Sequence, residues 1–332
     1  MDCRQIAITG TGMYVPPRRV TSSELDQRLG LADGWTAKKT GVLERRYTEG
    51  ETSSQMGAKA ARAALEQAGY ELSDIDCIVG VSGTAQQEIP CTAALIQREL
   101  GGGGSGIPAF DLNSTCLSFV AGLDTISYLV EAGRYRRVLL VASEIASVGL
   151  DWEQKESCTL FGDGAAAAII ERTPAGSASR ILAARMETYS KGAHLSEIRG
   201  GGTMLHPRLY SETTKADFLF QMDGRGIFRM TSRLIEPFVE KLLSESGLGM
   251  DEIDWVIPHQ ASGMSMRILR EKLGVRPERF IMNIANYGNT IATSIPLALH
   301  ETIATRGIKR GDRVLLLGVS AGLSLGGIVL AY

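Results

Sequence analysis

The stretch EQAGYELSDIDCIV, residues 66–79, has a counterpart in SESGLGMDEIDWVI, residues 244–257. At one constant offset, Gly69 aligns with Gly247 and Asp76 aligns with Asp254. Each copy predicts the end of a helix at a glycine, a short linker, and an apolar strand that begins at Ile-Asp. The repeat indicates an internal duplication.

The similarity between the two halves continues beyond these strands. EAGRYRRVLLVASE in the first half and ATRGIKRGDRVLLLGVSAG in the second both predict a helix end, a basic turn and a buried strand. Such strands alternating with helices predict an α/β fold with helices on the faces of the sheets. We expect one half at residues 1–172 and the other at residues 173–332, with an irregular covering segment at about 173–216.

Composition excludes several classes of function. The 332 residues are 44% hydrophobic and 22% charged, and the net charge of -2 gives no global attraction to nucleic acid or to an anionic membrane. No apolar run reaches the roughly 18 residues needed to span a bilayer, and the start, MDCRQIAITGTG, does not resemble a signal peptide. We therefore expect a cytoplasmic enzyme.

The five cysteines are scattered and lack CxxC spacing: Cys3, Cys77, Cys91, Cys116 and Cys158. This pattern argues against a disulfide framework and against a structural zinc site. Cys116 has unusual neighbours, because FDLNSTCLSFVAGL predicts a strand end followed by a helix start. Helix N–H groups there would stabilise a thiolate and lower the pKa from about 8.5 toward neutrality. Cys116 is the candidate nucleophile.

A cysteine nucleophile needs a partner for proton transfer and donors that hold oxyanion charge. WVIPHQAS places His259 just after an apolar strand, which the duplication equates with the strand at residues 75–81. NIANYGNTIATSIPLAL places Asn289 in a glycine-containing loop before a helix. All three candidates thus occupy strand-end positions of duplicated halves.

Several motifs together resemble the thiolase-fold condensing enzymes, specifically the β-ketoacyl-acyl-carrier-protein synthase III group. They are GWTAKKTGVLERR, DLNSTCLSFVAGL, LFGDGAAAAII, VIPHQAS and NYGNTIATSIP. The resemblance runs nearly from end to end of the chain. It implies a five-layered αβαβα fold built from two duplicated halves, and a homodimer.

The resemblance also implies a two-stage reaction. Cys116 would take an acyl group from an acyl-CoA, and malonyl-acyl carrier protein would then lose CO₂ and attack that group to give a 3-oxoacyl chain on the carrier. A neutral His259 and Asn289 would hold the enolate oxygen, while the N–H of Cys116 and one from the C-terminal turn would serve the tetrahedral intermediates. No metal or cofactor is implied, since coenzyme A enters only as the substrate thioester.

Further positions match residues that contact substrate in the family. Trp35 would stack on adenine, whereas Lys39 and Lys155 stand where close members often have arginine and so lose its bidentate fork. Ile89 would line the acyl pocket of the dimer partner. The remaining predicted contacts are Gly224, Arg225, Phe228, Ser262, Ser320 and Gly322.

Some residues depart from the family pattern and leave alternatives open. GVSAGLSLGG has Ser, Ala and Leu where glycines and aromatics are usual, and Met264 replaces a frequent carrier-docking arginine, for which Arg267 and Arg270 would compensate. A specialised secondary-metabolism relative with another acceptor is one alternative. A non-catalytic acyl-CoA-binding protein is another, and a variant with Glu88 as the base is a third.

Overall fold

Strands and helices alternate along residues 3–332, the part of the chain that this computed structural model describes. The strands are β1 (Ile6–Tyr14), β2 (Arg18–Thr21), β3 (Glu44–Tyr47), β4 (Cys77–Gly80), β5 (Ala109–Asp111), β6 (Arg137–Glu144), β7 (Gly164–Arg172), β8 (Arg180–Thr188), β9 (Ser196–Glu197), β10 (Gln221–Met222), β11 (Trp255–Pro258), β12 (Arg313–Ser320) and β13 (Ser324–Ala331). The helices are α1 (Ser22–Leu29), α2 (Trp35–Thr40), α3 (Ser53–Ala68), α4 (Thr92–Glu99), α5 (Ser118–Glu131), α6 (Lys155–Cys158), α7 (Gly224–Ser246), α8 (Gly263–Lys272), α9 (Ile284–Tyr287) and α10 (Ser294–Arg306). The predicted α/β class is confirmed.

Two mixed sheets have the same strand order. The first runs β1-β7-β6-β4-β5 and the second runs β8-β13-β12-β11. β4 pairs in parallel with both β5 and β6, and β11 pairs in parallel with β12. The next two pairs in each sheet are antiparallel. The place of β5 is taken in the second sheet by a single parallel bridge between Val256 and Phe280. This match is what a duplicated chain should show, although the boundary at 172/173 stays a prediction.

Helices and sheets stack in five layers. Helix α3 covers the outer face of the first sheet, α5 and α10 lie between the sheets, and α7 covers the outer face of the second. Alternate residues of β6 explain this arrangement, because Leu139 belongs to the core cluster under α3 and Leu140 to the cluster around α5 and α10. Residues Leu315 and Leu316 of β12 divide in the same way between the α7 side and the middle layer. Burial on both faces is why these strands are continuously apolar, and the predicted αβαβα fold is confirmed.

The duplicated glycine and aspartate residues occupy the same structural positions in both halves. Gly69 and Gly247 end α3 and α7 in the left-handed conformation, with φ of 68° and 73°, a conformation that glycine adopts without steric cost. The carboxylate of Asp76 accepts the backbone N–H of Arg137 at 2.9 Å, and that of Asp254 accepts the N–H of Arg313 at 2.8 Å. Each aspartate therefore joins the start of one strand to the start of its neighbour.

The segment at about 173–216, which was predicted to be irregular, contains a regular strand in its first part. Residues Arg180–Thr188 form β8, the edge strand that pairs with β13, and the irregular covering begins only at Tyr189. Because β8 is an edge strand with several half-buried and exposed positions, it lacks the continuous apolar run that marks the other strands. From Tyr189 to the start of α7 the chain forms short 3₁₀ turns and the β9–β10 pair.

The cysteines and the membrane-spanning potential of the helices can be compared with the predictions made from composition. All five cysteines are free thiols, in agreement with the absence of a disulfide framework. Within residues 3–332, every helix is too short or too polar to cross a bilayer.

Candidate active site

Cys116 lies in a tight turn between β5 and α5. The turn covers Thr115–Leu117, and Thr115 has φ of 50°, an unfavourable value for a residue with a branched side chain. The side-chain oxygen of Asn113 accepts the N–H of Thr115 at 2.8 Å and stabilises this conformation. The hydroxyl of Ser118 accepts the N–H of Ser114 at 2.8 Å. Cys116 is therefore held two residues before the first residue of α5, close to the helix start that the sequence predicts.

The protonation state of Cys116 is opposite to the prediction. Burial, followed by the nearby Glu144 carboxylate, raises the pKa of Cys116 to about 12, although the N–H groups of Cys116 and Ala321 act in the other direction. The predicted lowering toward neutrality is wrong, because loss of hydration at this site outweighs the favourable N–H groups. This environment favours the neutral thiol of Cys116 over the thiolate. The Ala321 N–H beside the sulfur comes from the C-terminal turn, where an oxyanion donor was expected.

His259 follows β11 and is buried with 6% of its surface exposed. Its backbone N–H donates to the carbonyl of Leu317 at 2.8 Å, which continues the pairing of β11 with β12 past the strand end. Burial lowers the pKa of His259 to about 4, so the imidazole is neutral at pH 7. The sequence-based prediction of a neutral His259 agrees with this environment.

The hydroxyl of Ser294 orients the His259 ring. Nδ1 of His259 lies 2.6 Å from Oγ of Ser294, and the N–H of Gln260 donates to the same oxygen at 3.4 Å. A serine hydroxyl can donate its hydrogen to Nδ1 while its oxygen accepts from Gln260. We assign the ring hydrogen to Nε2 on this basis. His259 then offers one N–H donor.

Asn289 has its side-chain amide oriented by the backbone. Its Oδ1 accepts the N–H of Ile291 at 2.9 Å, so Nδ2 points the other way, with the carbonyl of Ala261 at 3.5 Å. The backbone of Asn289 bonds to Gly162 and Leu160 at 3.1 and 2.9 Å. Asn289 therefore presents an amide donor rather than an acceptor.

The turns that carry Cys116 and Asn289 share the same backbone conformation and side-chain hydrogen bond. Thr115 and Ile291 both have left-handed backbones, with φ of 50° and 52°, and each precedes a central helix. Asn113 and Asn289 accept the N–H two residues ahead in the same way, at 2.8 and 2.9 Å. Ala292 in the second turn corresponds to Cys116 in the first. The duplication thus places the Cys116 thiol in one turn and an amide donor in the other.

One cavity of about 1510 Å³ brings the three candidate residues together, since Cys116, His259 and Asn289 all line it. The predicted substrate contacts that also line it are Lys39, Gly224, Arg225, Phe228, Ser262 and Ser320. The predicted contacts outside its lining are Trp35, Ile89, Lys155 and Gly322. Ile89 is 84% exposed, and Glu88, the alternative base, is also exposed and outside the cavity.

Two members of an arginine row on α7, Arg229 and Arg233, were missed from the sequence, which predicted only Arg225. Arg225, Arg229 and Arg233 are spaced four residues apart, are all exposed, and all line the cavity. Among residues 3–332 none of the three has an acidic side chain within ion-pair distance, whereas Lys39 pairs with Glu156 at 2.7 Å. The regular spacing in GRGIFRMTSR was the signal that could have revealed this cationic row. It can attract an anionic ligand or partner.

Comparisons with known proteins agree with this geometry. The family model described as 3-oxoacyl-[acyl-carrier-protein (ACP)] synthase III matches residues 110–190, and the model of its C-terminal part matches residues 243–332. The β-ketoacyl-[acyl-carrier-protein] synthase III of Aquifex aeolicus (strain VF5) is 35% identical over 325 residues, which cover 98% of this chain and 99% of that protein.

Solved structures show the same fold over nearly the whole chain. The crystal structure of 3-oxoacyl-[acyl-carrier-protein] synthase III from Aquifex aeolicus VF5 matches with a TM-score of 0.88 at 34% identity, covering 98% of this chain and 100% of that one. The priming β-ketosynthase from the R1128 polyketide biosynthetic pathway matches with a TM-score of 0.89 at 28% identity, covering 98% and 96%. The chain belongs to the β-ketoacyl-[acyl-carrier-protein] synthase III family, the thiolase-fold condensing enzymes of fatty-acid synthesis, and is an acyltransferase.

Proposed function

We propose that this condensing enzyme uses an acyl-CoA as primer and malonyl-acyl carrier protein as extender. The observation that carries the proposal is that the Cys116 thiol, the neutral His259 ring and the Asn289 amide line one cavity. A nucleophile next to two neutral N–H donors suits acyl transfer followed by stabilisation of an enolate. The relatives carry acyl-carrier-protein synthase names, which supports the same kind of partner.

In the loading step, the Cys116 sulfur attacks the thioester carbonyl of acyl-CoA. A bond forms between sulfur and the acyl carbon, the bond to the CoA sulfur breaks, and the thiol proton leaves on the CoA thiol. The N–H groups of Cys116 and Ala321 are the donors for the oxyanion of the tetrahedral intermediate. The protonated resting state of Cys116 supplies the proton that the leaving group needs.

In the condensation step, malonyl-acyl carrier protein loses CO₂ and its electrons form an enolate. Nε2–H of His259 and Nδ2–H of Asn289 donate to the enolate oxygen. The carbanion then attacks the acyl carbon on Cys116, the sulfur leaves and takes up a proton, and the 3-oxoacyl chain remains on the carrier. Neutral donors suit this step because they stabilise the developing charge without first losing a proton themselves.

Recognition of both substrates would depend on cations at the cavity mouth. The arginine row on α7 and Lys39 attract the phosphates of CoA and an acidic carrier protein. Met264, which stands where a docking arginine was expected, is 54% exposed and lines the same cavity. The arginine row on α7 provides positive charge, which the Met264 side chain lacks.

The homodimer and the cytoplasmic location belong to this proposal. Strand β5 is the outer strand of the first sheet, and its free edge is available for pairing with a second copy. Ile89, a large apolar side chain that is 84% exposed, suits burial in such an interface. Five free thiols suit a reducing compartment.

A second candidate is priming of a specialised pathway rather than of housekeeping fatty-acid synthesis. The similarity to a polyketide priming synthase at 28% identity favours it, as does the altered C-terminal turn at residues 320–325. Such an enzyme would keep the loading step and use another acceptor.

Intact mass measurement after exposure to mixed acyl-CoAs, followed by malonyl-acyl carrier protein, tests the proposal. We expect one acyl group on Cys116, then release of CO₂ and a 3-oxoacyl carrier. Acylation of Cys116 without CO₂ release would contradict the extender and favour the second candidate. Unchanged acylation of the Cys116→Ala variant would contradict the nucleophile, and failure of the wild type to acylate would favour a binding protein.

A further inference from the structure

Glu144 is a buried carboxylate for which the reaction described above has no role. It is the last residue of β6 and is 0% exposed. Over residues 3–332, no cation lies within ion-pair distance of its carboxylate. Burial of an unpaired carboxylate is unfavourable and is common at functional sites rather than in ordinary cores. The residue therefore needs an explanation beyond packing.

The Glu144 side chain accepts hydrogen bonds from two separate loops. From the loop after β4 it accepts the N–H of Gly83 at 2.5 Å, the N–H of Thr84 at 3.0 Å and the hydroxyl of Thr84 at 2.5 Å. From the turn after Asn289 it accepts the N–H of Ala292. One carboxylate thus joins two segments that are more than 200 residues apart in the chain.

Each of these segments supports one reacting group. The backbone of Gly83 lies against the Cys116 turn, since a Cβ atom on Gly83 would approach the carbonyl carbon of Thr115 to 3.2 Å. The carbonyl of Gly83 also accepts a hydrogen bond from Asn113 Nδ2 at 3.4 Å, and Asn113 stabilises that turn. On the other side, Ala292 belongs to the turn whose N–H at Ile291 orients the Asn289 amide.

We propose that Glu144 is a positioning residue that fixes the Cys116 turn relative to the Asn289 turn. The placement of these turns governs attack of the Cys116 sulfur on acyl-CoA, so the inference rests on the proposed loading step. No bond to Glu144 forms or breaks in the reaction. Its carboxylate acts through the hydrogen bonds that it accepts.

Glu144→Asp tests positioning with the carboxylate retained. The shorter side chain cannot reach both loops, so we expect acylation of Cys116 by acyl-CoA to slow about tenfold. Alkylation of Cys116 by iodoacetamide, a small reagent that needs no such alignment, should stay near the wild-type rate. Glu240→Asp, at an exposed position of α7, is the matched control and should change neither rate.

Wild-type acylation by a folded Glu144→Asp protein would overturn the positioning role, and so would an equal loss of acylation and alkylation. Thr84→Val removes the hydroxyl that donates to Glu144 and provides the test if Glu144→Asp does not fold. It should also slow acylation more than alkylation.

The positioning role and the proposed function fail in different ways. If the wild type is never acylated by acyl-CoA, the proposed function fails and the positioning role falls with it. If the wild type and Glu144→Asp are acylated at the same rate, the proposed function stands and the positioning role fails.

Discussion

Nδ1 of His259 and Oγ of Ser294 lie 2.6 Å apart, and both residues are buried. Ser294 is the first residue of α10, so one central helix holds the ring by its hydroxyl. A hydroxyl can donate to Nδ1, whereas a carboxylate partner would require hydrogen on Nδ1. With serine as the partner, the ring hydrogen can stay on Nε2, the donor that the proposed condensation step uses.

Ser294→Ala should slow decarboxylation of malonyl-acyl carrier protein by between about 10- and 100-fold, less than the loss on removing a direct oxyanion donor. Without the hydroxyl, the ring hydrogen is no longer directed to Nε2. Release of CO₂ by the pre-acylated enzyme measures the effect. Ser294→Thr, which keeps the hydroxyl, is the control and should retain most activity. Equal rates for the Ala and Thr variants would contradict the assignment.

Stability between pH 4 and pH 7 should contain two opposing contributions. Burial lowers the pKa of His259 from 6.5 to about 4. The neutral ring therefore contributes to folding stability above pH 6.5, and this contribution is lost as the pH falls through 4. Burial raises the pKa of Glu144 from 4.5 to about 7. Its protonated form therefore contributes to folding stability below pH 4.5, and this contribution is lost as the pH rises through 7.

Single variants should separate these contributions. In Glu144→Gln, the free energy of unfolding should rise by about 3 kcal/mol more than in the wild type between pH 4 and 6.5, since one unit of pKa corresponds to about 1.4 kcal/mol. In His259→Gln it should fall over the same range. Urea unfolding at a series of pH values measures both slopes. Parallel curves for the wild type and the two variants would show that neither group is linked to folding.

Removal of Arg229 and Arg233 together should lower kcat/KM for malonyl-acyl carrier protein about tenfold at low salt. Exposed cations of this kind steer association with an acidic partner, so the difference from the wild type should shrink as salt is added. Arg172→Ala is the control, because Arg172 is an exposed cation at the end of β7 and lies outside the cavity lining. A loss that is independent of salt would contradict an electrostatic role.

Leu323→Phe should shift primer preference toward shorter acyl chains. Leu323 lines the cavity, is 2% exposed, and stands in the C-terminal turn where an aromatic residue is usual in the family. A larger side chain there fills part of the cavity that Cys116 also lines, at a cost in stability of about 1–3 kcal/mol. The acyl group found on Cys116 by intact mass after exposure to mixed acyl-CoAs is the measurement. Leu43→Phe, at a position 60% exposed, should leave the preference unchanged.

Much of the site follows from local sequence. The strand-end positions of Cys116 and His259 could be predicted because a duplicated α/β unit repeats its strand–turn–helix order, and each turn carries its own signature. The same prediction was wrong for Asn289, which follows the short helix α9 rather than a strand. The arginine row on α7 was equally visible as a four-residue spacing. The edge strand β8 was not, because its exposed positions remove the apolar pattern on which strand prediction depends.

By itself, the sequence determined the duplication and the layered α/β fold, and it predicted Cys116, His259 and Asn289 as the candidate site residues. These depend on short-range patterns: buried strands, glycine helix ends and the turn residues between them. The direction of the Cys116 pKa shift and the hydrogen-bond partners of Glu144 were decided only by tertiary structure. Both depend on how far each group lies from water and on which distant N–H groups meet it, and the same thiol at an open helix start would have the lower pKa that its local sequence predicts.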